Sequence, residues 1–216
     1  MFTGIIKGIG TLVDIQKLPN HSTQTHWVKL PKLCSQNLAI GASVALNGCC
    51  LTVTDSKEDC LFSFDLIEET LKKTNLGQGK VKDKLNIERS LQVGDEVGGH
   101  LMSGHIFDTV KISSIEQKRG NCIIQFELTE AISPYIFSKG FIGLDGCSLT
   151  VGEVTPHSFS VYLIPETLRQ TIFQYRKIGE RINLEIDTQT KATVDTVQRL
   201  LQQHLREWKK DTLHGS

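Results

Sequence analysis

Short apolar or alternating runs dominate the chain and predict strands rather than long helices. They cover residues 5–16, 26–30, 41–55, 60–67 and 84–88 in the first half, and 105–116, 122–129, 141–154, 158–164 and 181–186 in the second. Turn-forming residues such as Asn47-Gly48 and Gly94-Asp95 separate the runs. Brief helices are predicted around Pro31–Leu38, around Ser133–Ser138 and after each Glu-Thr-Leu block. Short strands at close spacing predict a small all-β barrel.

The second half of the chain repeats the motifs of the first half in the same order. The pairs are Met1–Ile6 with Leu101–Ile106, Asn47–Val53 with Asp145–Val151, Ile67–Leu71 with Ile164–Leu168, and Leu85–Glu88 with Ile182–Glu185. The offset between partners stays between 97 and 100 residues. Four motifs at a nearly constant offset indicate a tandem duplication. We therefore predict two domains, residues 1–97 and 98–189, each large enough for its own core.

The segment after residue 189 has no counterpart at the end of the first repeat. Residues 190–210 contain neither Gly nor Pro, which predicts one helix followed by a tail at 211–216. Its apolar residues recur at steps of three and four and are Val194, Val197, Leu201, Leu205 and Trp208. This stripe either packs on the chain's own barrel or pairs with further copies of the helix in an oligomer.

Composition narrows the class of partner. The 24 basic residues balance 24 acidic ones without a basic block, and only 14 residues are aromatic, which argues against a nucleic-acid-binding barrel. No apolar run approaches the roughly 20 residues that span a bilayer, and the N-terminus lacks signal-peptide features. None of the six cysteines forms a C-x-x-C pair. We expect a reduced, cytoplasmic protein. Its cysteines are either small buried apolar residues, the preferred interpretation, or reactive thiols.

The repeated Gly-Cys-x-Leu-Thr-Val motif carries the first candidate chemistry. Alternation on a strand puts Cys49, Leu51 and Val53 on one face and Cys50 and Thr52 on the other. In the second copy Ser148 and Thr150 occupy the polar face. Such a face either meets solvent or binds the edge of a planar ligand, and its recurrence in both repeats favours the ligand.

Two histidines flank the start of the second repeat. His100 and His105 are five residues apart, a spacing that suits no two-histidine metal site, so no metal is expected. Each is either a structural hydrogen-bonding group or a general acid–base, since an unperturbed imidazole titrates near pH 6.5. Glu185 and Asp187 form either a working carboxylate pair or two surface charges.

These motifs together resemble the riboflavin synthase family over residues 1–210. The resemblance rests on Met1–Ile6, on both Gly-Cys-x-Leu-Thr-Val blocks, on Gly98–Ile106 and on Ile164–Leu168. It implies two six-stranded Greek-key barrels and a C-terminal helix through which three chains associate as a homotrimer. It also implies dismutation of two 6,7-dimethyl-8-ribityllumazine molecules to riboflavin and 5-amino-6-(D-ribitylamino)uracil, without a metal or redox cofactor.

The resemblance also implies where substrate binds. The pocket of the first repeat is expected to use Gly4, Ile5, Ile6, Cys50, Leu51, Thr52, Asp65, Leu66, Ile67, Glu68, Glu69 and Thr70. The pocket of the second repeat is expected to use Gly104, His105, Ile106, Lys139, Ser148, Leu149, Thr150, Tyr162, Leu163, Ile164, Pro165, Glu166 and Thr167. In the family, the reacting pair lies between the first barrel of one chain and the second barrel of its neighbour.

The chemistry implied is removal of a proton from the C7 methyl of a lumazine. His105 or His100 is the expected proton shuttle, and Cys50, Ser148 with Thr150, or water supplies a nucleophile or a positioning hydrogen bond. The alternative is a non-catalytic lumazine- or flavin-binding protein. Because both repeats keep the Leu-Thr-Val and Glu-Thr-Leu blocks, the enzyme is favoured. Lumazine synthase, which encloses some relatives, is a further expected partner.

Overall fold

The computed structural model describes residues 1–17, 22–58 and 60–214, and the side chains of the last helix as far as residue 206. Twelve strands form two closed barrels in the described chain. The first barrel contains β1 (Gly8–Lys17), β2 (Gln24–Lys29), β3 (Ser43–Leu46), β4 (Cys49–Lys57), β5 (Leu61–Leu66) and β6 (Lys84–Arg89). The second contains β7 (Asp108–Lys118), β8 (Asn121–Glu127), β9 (Phe141–Leu144), β10 (Cys147–Val154), β11 (Ser158–Leu163) and β12 (Arg181–Ile186).

The two barrels share one topology. The order β1-β2-β5-β4-β3-β6 in the first corresponds to β7-β8-β11-β10-β9-β12 in the second, with antiparallel pairing throughout. Each barrel has its own apolar core, which contains Phe64 in the first repeat and Phe126 in the second. The fold class predicted from the sequence is confirmed, whereas the predicted domain limits at 97 and 189 stay predictions.

Two of the predicted strand runs are wrong in detail, because each contains a turn. Residues 41–55 divide into β3 and β4 at Asn47-Gly48, and residues 141–154 divide into β9 and β10 at Asp145-Gly146. All four turn residues have positive φ, between 43° and 81°, which is the conformation of a tight type I′ hairpin. The turns face each other across the junction of the barrels: a Cβ added to Gly48 would lie 2.6 Å from the Gly146 nitrogen.

The helices are short except for the last one. They are α1 (Lys32–Ser35), α2 (Glu68–Lys73), α3 (Pro165–Gln170) and α4 (Thr188–His214), with 3₁₀ turns at Asn75–Gln78, Ser133–Tyr135 and Ile172–Tyr175. Helices α2 and α3 contain the Glu-Thr-Leu blocks instead of following them. No described helix has the length and apolar character needed to span a bilayer.

Helix α4 extends beyond the predicted limits of 190–210 and leaves the barrels after its first turns. Near its start, the Tyr135 hydroxyl donates to Asp195 Oδ1 at 2.6 Å. Further along, Val197, Leu201 and Leu205 are exposed, so the chain's own barrels do not cover this part of the stripe. The side chain of the predicted stripe residue Trp208 and the end of the predicted tail, residues 215–216, lie outside the described part.

Candidate functional site

Two extended segments cross between the barrels. We call residues 1–7, which precede β1, the first strap and residues 98–107, which precede β7, the second strap. They pair with each other where Phe2 N donates to Met102 O at 2.8 Å and Met102 N donates to Phe2 O at 3.0 Å. Both side chains are buried. The straps therefore meet at the centre of the molecule, between the two repeats.

Each strap then reaches the barrel of the other repeat. The Ser148 amide of β10 donates to Gly4 O at 2.9 Å, and the Cys50 amide of β4 donates to Gly104 O at 2.9 Å. Ile6 accordingly packs against the core of the second barrel, and Ile106 packs against the core of the first. The polar strand face of each barrel is thus closed by the strap of the opposite repeat.

These contacts combine the predicted residues differently: Gly4 lies against Ser148 and Gly104 lies against Cys50, whereas the resemblance implies Gly4 with Cys50 and Gly104 with Ser148. The division of residues between the two pockets stays a prediction. Periodicity could not reveal this exchange, because residues 5–7 and 105–107 are continuous in sequence with β1 and β7 and fall within the strand runs predicted at 5–16 and 105–116.

Glycine is required where each strap touches the opposite barrel. Gly4 and Gly104 have φ of +73° and +81°, in the left-handed region. A Cβ on Gly4 would lie 2.5 Å from Ser148 Cβ, and a Cβ on Gly104 would lie 2.5 Å from Cys50 Cβ. These contacts place the strap backbone directly against the polar strand face.

The polar faces themselves are arranged as the alternation predicts. Thr52 and Thr150 are exposed and Cys50 and Ser148 half-buried, whereas Cys49, Val53, Cys147 and Val151 are buried. The exposed predicted residues beside these faces are Asp65, Ile67, Glu68 and Glu69 in the first repeat and Lys139, Tyr162, Ile164, Pro165 and Glu166 in the second; Thr70, Leu149 and Thr167 are half-buried.

Three predicted binding residues turn their side chains away from the pockets. Leu51, Leu66 and Leu163 are buried in the barrel cores, as their positions on the inward strand faces require. Only their backbone groups remain available to a ligand. Asp65, in contrast, is exposed and its Oδ1 accepts a hydrogen bond from Thr25 Oγ1 at 2.6 Å.

The two candidate histidines lie in different environments. His100 is buried, and its Nδ1 lies 2.7 Å from Ser148 Oγ while its ring stacks on Phe141 at a centroid distance of 5.1 Å. Burial lowers the pKa of His100, against a smaller opposing effect of Asp187. His100 Nε2 is buried without a hydrogen-bond partner among the described residues. His105 is exposed and follows Gly104 on the strap that meets Cys50.

Comparison with known proteins agrees with this architecture. The sequence model of one family, described as the lumazine binding domain, matches twice, over residues 3–90 and 103–187. Riboflavin synthase from Escherichia coli (strain K12) is 52% identical over 202 residues, 93% of each chain. The Bacillus subtilis (strain 168) enzyme is 35% identical over 87% of this chain and 85% of its own. The chain belongs to the riboflavin synthase family.

Solved structures of LumP share the fold of this family member. The complexes of LumP with 6,7-dimethyl-8-(1'-D-ribityl) lumazine and with riboflavin superpose with TM-scores of 0.78 and 0.80. Both are 23% identical and cover 87% of this chain and 100% of LumP. At this identity the likeness concerns the double-barrel architecture.

Among the cysteines of this family member, Cys50 alone combines partial exposure with contact to a strap. All six are free thiols, and Cys34, Cys49, Cys122 and Cys147 are buried, as predicted for small apolar residues. Burial, and then the neighbouring Cys50 and Glu185, raise the pKa of Cys49 to about 12. Within the described residues, no three His, Cys, Asp or Glu side chains are grouped to hold a metal ion.

Two buried carboxylates lie next to the straps; Glu88 was missed as a site residue, whereas Glu185 was considered only as part of a carboxylate pair or as a surface charge. Glu88 and Glu185 end the repeated Leu-Asn-Ile-Glu and Ile-Asn-Leu-Glu motifs and are 3% and 2% exposed. Glu185 is thus not a surface charge, and Asp187 is half-buried. A charged residue at the same place in both repeats was the available signal. Burial raises the pKa of both carboxyl groups, while hydrogen bonds from the straps oppose that shift.

Proposed function

We propose that this chain catalyses the dismutation of two 6,7-dimethyl-8-ribityllumazine molecules. One molecule gives a four-carbon unit to the other, and the products are riboflavin and 5-amino-6-(D-ribitylamino)uracil. The observation that carries the proposal is that one chain builds two pockets of one construction, each a polar strand face closed by the opposite strap. A reaction between two copies of one molecule needs two such sites, and membership of the riboflavin synthase family supports it.

The proposed pockets follow the strap exchange. The pocket of the first barrel comprises Cys50 to Thr52, Asp65 to Thr70 and, from the second strap, Gly104 to Ile106. The pocket of the second barrel comprises Lys139, Ser148 to Thr150, Tyr162 to Thr167 and, from the first strap, Gly4 to Ile6. Strap and strand backbone groups bind the edge of the heterocycle, while hydroxyl and carboxylate side chains hold the ribityl chain. Fixing two heterocycles in register supplies up to about 7–11 kcal/mol in favourable systems.

The acid–base unit we propose is the contact between His100 and Ser148. A neutral imidazole at 2.7 Å from a hydroxyl can accept its proton, or that of a water held in its place. The lowered pKa keeps His100 neutral at physiological pH, which a base requires. In the other pocket the corresponding candidates are His105, brought there by the second strap, and Cys50 of β4 itself. Thr150 adds a second hydroxyl beside Ser148.

We further propose that three chains associate through α4. Val197, Leu200, Leu201 and Leu205 form an exposed apolar stripe that a parallel or antiparallel helix from another copy would cover. The trimer would then pair the first pocket of one chain with the second pocket of its neighbour. The neutral charge balance and free thiols support a cytoplasmic location, and a lumazine synthase shell is the proposed macromolecular partner.

Incubation of the purified chain with the lumazine tests the proposal directly. We expect one riboflavin, detected by its fluorescence, for every two lumazines consumed. A protein that binds lumazine without converting it would be the non-catalytic relative, and the dismutation proposal would then be wrong.

Two substitutions test the assigned roles. His100→Gln should slow turnover by roughly 10²-fold, the usual size of a general acid–base contribution, with lumazine affinity nearly kept. His105→Gln should also slow turnover with little loss of binding, and unchanged turnover would remove that histidine from the mechanism. Full activity in Cys50→Ser would show that the thiol only fills space.

A further inference from the structure

Each strap is fastened by a buried carboxylate of its own repeat. Glu88 on β6 accepts hydrogen bonds from Thr3 N and Thr3 Oγ1, both at 2.7 Å, and from Gly4 N at 3.0 Å. Glu185 on β12 accepts from Ser103 N at 2.6 Å, from Ser103 Oγ at 2.8 Å and from Gly104 N at about 3.1 Å. The residues immediately next to each fastened point are the ones that enter the opposite barrel.

The same glycine therefore connects a carboxylate in one barrel to a pocket in the other. Gly4 donates its N–H to Glu88 of the first barrel and accepts at its carbonyl from the Ser148 amide of the second. Gly104 donates its N–H to Glu185 of the second barrel and accepts from the Cys50 amide of the first. In both cases the path from carboxylate to pocket is one residue long.

Because the two carboxylates are buried, they depend on these hydrogen bonds. A carboxylate removed from water needs its oxygens occupied by donors, and the strap supplies the donors that the structure shows for Glu88. The charge of each carboxylate in turn strengthens the hydrogen bonds that hold the strap amides. Each carboxylate and its strap are thus joined by several hydrogen bonds at one place.

We propose that Glu88 and Glu185 are crossed positioning residues: Glu88 positions the pocket of the second barrel, and Glu185 positions the pocket of the first. For the lumazine-binding consequence this rests on the proposed function, whereas the positioning itself does not. The crossing distinguishes the proposal from a structural role, because a carboxylate that only stabilised its own barrel would affect that barrel.

Amide hydrogen exchange of the intact protein tests the crossing without any substrate. In Glu88→Gln the amide that replaces one carboxylate oxygen is a donor facing donors, so the first strap should loosen. We expect the amides of Thr3, Gly4 and Ser148 to exchange about tenfold or more faster, while Cys50 stays within about twofold. Glu185→Gln should give the reverse pattern, with Ser103, Gly104 and Cys50 accelerated and Ser148 unchanged.

Further variants keep the test decisive if a Gln variant does not fold. Thr3→Val removes the hydroxyl that donates to Glu88 and accepts from Ile5 N at 3.3 Å, and should give a smaller acceleration at Ser148. Thr3→Ser keeps the hydroxyl and should retain the parent rate. Ser63→Ala is a control, because Ser63 is buried in the first barrel and bonds Thr54 at 2.8 Å without touching a strap. It should leave Ser148 exchange unchanged.

The functional consequence is measured separately by titration with the lumazine. Glu88→Gln and Glu185→Gln should each weaken one of two binding sites about tenfold, and a different one. Acceleration confined to each variant's own barrel, or the same pattern in both, would overturn the crossed positioning. A crossed exchange pattern without lumazine binding would instead count against the proposed function and leave the positioning intact.

Discussion

The junction between the barrels depends on a buried ion pair, and removing its acidic member should be costly. Asp145 is fully buried in the turn between β9 and β10. Its Oδ2 lies 2.5 Å from Arg176 Nη2, and its Oδ1 accepts from Asn75 Nδ2 at 2.8 Å and from Asn183 N at 2.9 Å. The carboxylate thus links segments of both repeats.

The contacts of Asp145 indicate how much unfolding free energy its removal should cost. Asp145→Ala leaves the mostly buried Arg176 with only Glu180, at 3.3 Å. It also removes the acceptor of the Asn183 amide and leaves Asn75 Nδ2 with only Arg181 O, at 3.2 Å. Breaking a buried pair in this way costs about 3–5 kcal/mol of unfolding free energy. Asp145→Asn should cost less, about 1–3 kcal/mol, because Oδ1 can still accept while a neutral amide faces the guanidinium.

The first repeat has no ion pair at the equivalent positions. Asn47 stands at the position of Asp145, and Gly79 stands at the position of Arg176. The double variant Asp145→Asn with Arg176→Ala reproduces that arrangement and should be more stable than Asp145→Ala alone. A double-mutant cycle gives the coupling energy between the two side chains.

Urea unfolding followed by Trp27 fluorescence measures these differences, at one protein concentration because assembly adds to apparent stability. Lys111→Ala is the matched control, since Lys111 pairs with Glu127 at 2.7 Å on the surface, and it should cost under about 1 kcal/mol. If Asp145→Ala costs no more than Lys111→Ala, the buried pair does not hold the junction as argued.

Three further predictions concern the strap, the core and the assembly. Gly104→Ala should abolish turnover and lower the melting temperature more than Gly120→Ala does. Gly120 is the control, because it has a similar φ of +85° but no atom within 4 Å of an added Cβ. Equal effects would exclude a clash between the added Cβ at residue 104 and Cys50. Burial lowers the pKa of His26 from 6.5 to about 4. The fold therefore has its full stability above pH 6.5, where His26 is neutral in both states, and loses up to about 3 kcal/mol of unfolding free energy as the pH falls towards 4. His26→Leu should remove this part of the acid sensitivity in unfolding curves. Deletion of residues 188–216 should give folded monomers without turnover, and a deletion variant that stays trimeric in light scattering would exclude α4 as the contact.

Local pattern was sufficient for the barrels, because strand alternation and turn residues are encoded within a few neighbouring positions. The Cys49–Val53 block shows this, since its inward and outward faces follow from period two alone. Because the motifs recur in the second half of the chain, the same pattern predicted the second barrel. The same local logic could not place Gly4 or Gly104, whose positive φ and contacts are fixed by a barrel in the other repeat.

The failure to predict Glu88 as a site residue follows from the same limit. A glutamate at the end of a strand is ordinarily exposed, and nothing within Leu85–Glu88 indicates that the residue turns inward. Its burial is stabilised by donors from Thr3 and Gly4, more than 80 residues earlier in the chain. Polar groups whose partners are distant in sequence are therefore where sequence reasoning failed here.

Duplication alone would give two equal pockets. The proposed reaction needs one lumazine as donor and another as acceptor, so the two pockets must differ. The equivalent residues that differ include Cys50 and Ser148, Ile5 and His105, Gly41 and Lys139, Asp65 and Tyr162, and Glu68 and Pro165. His100 adds to this difference: it bonds Ser148 and precedes Leu101, the equivalent of Met1. The second strap thus places a neutral, buried imidazole beside Ser148. Two identical lumazines bound in the two pockets would then meet different acid–base groups, which is the condition for one to give carbon and the other to receive it.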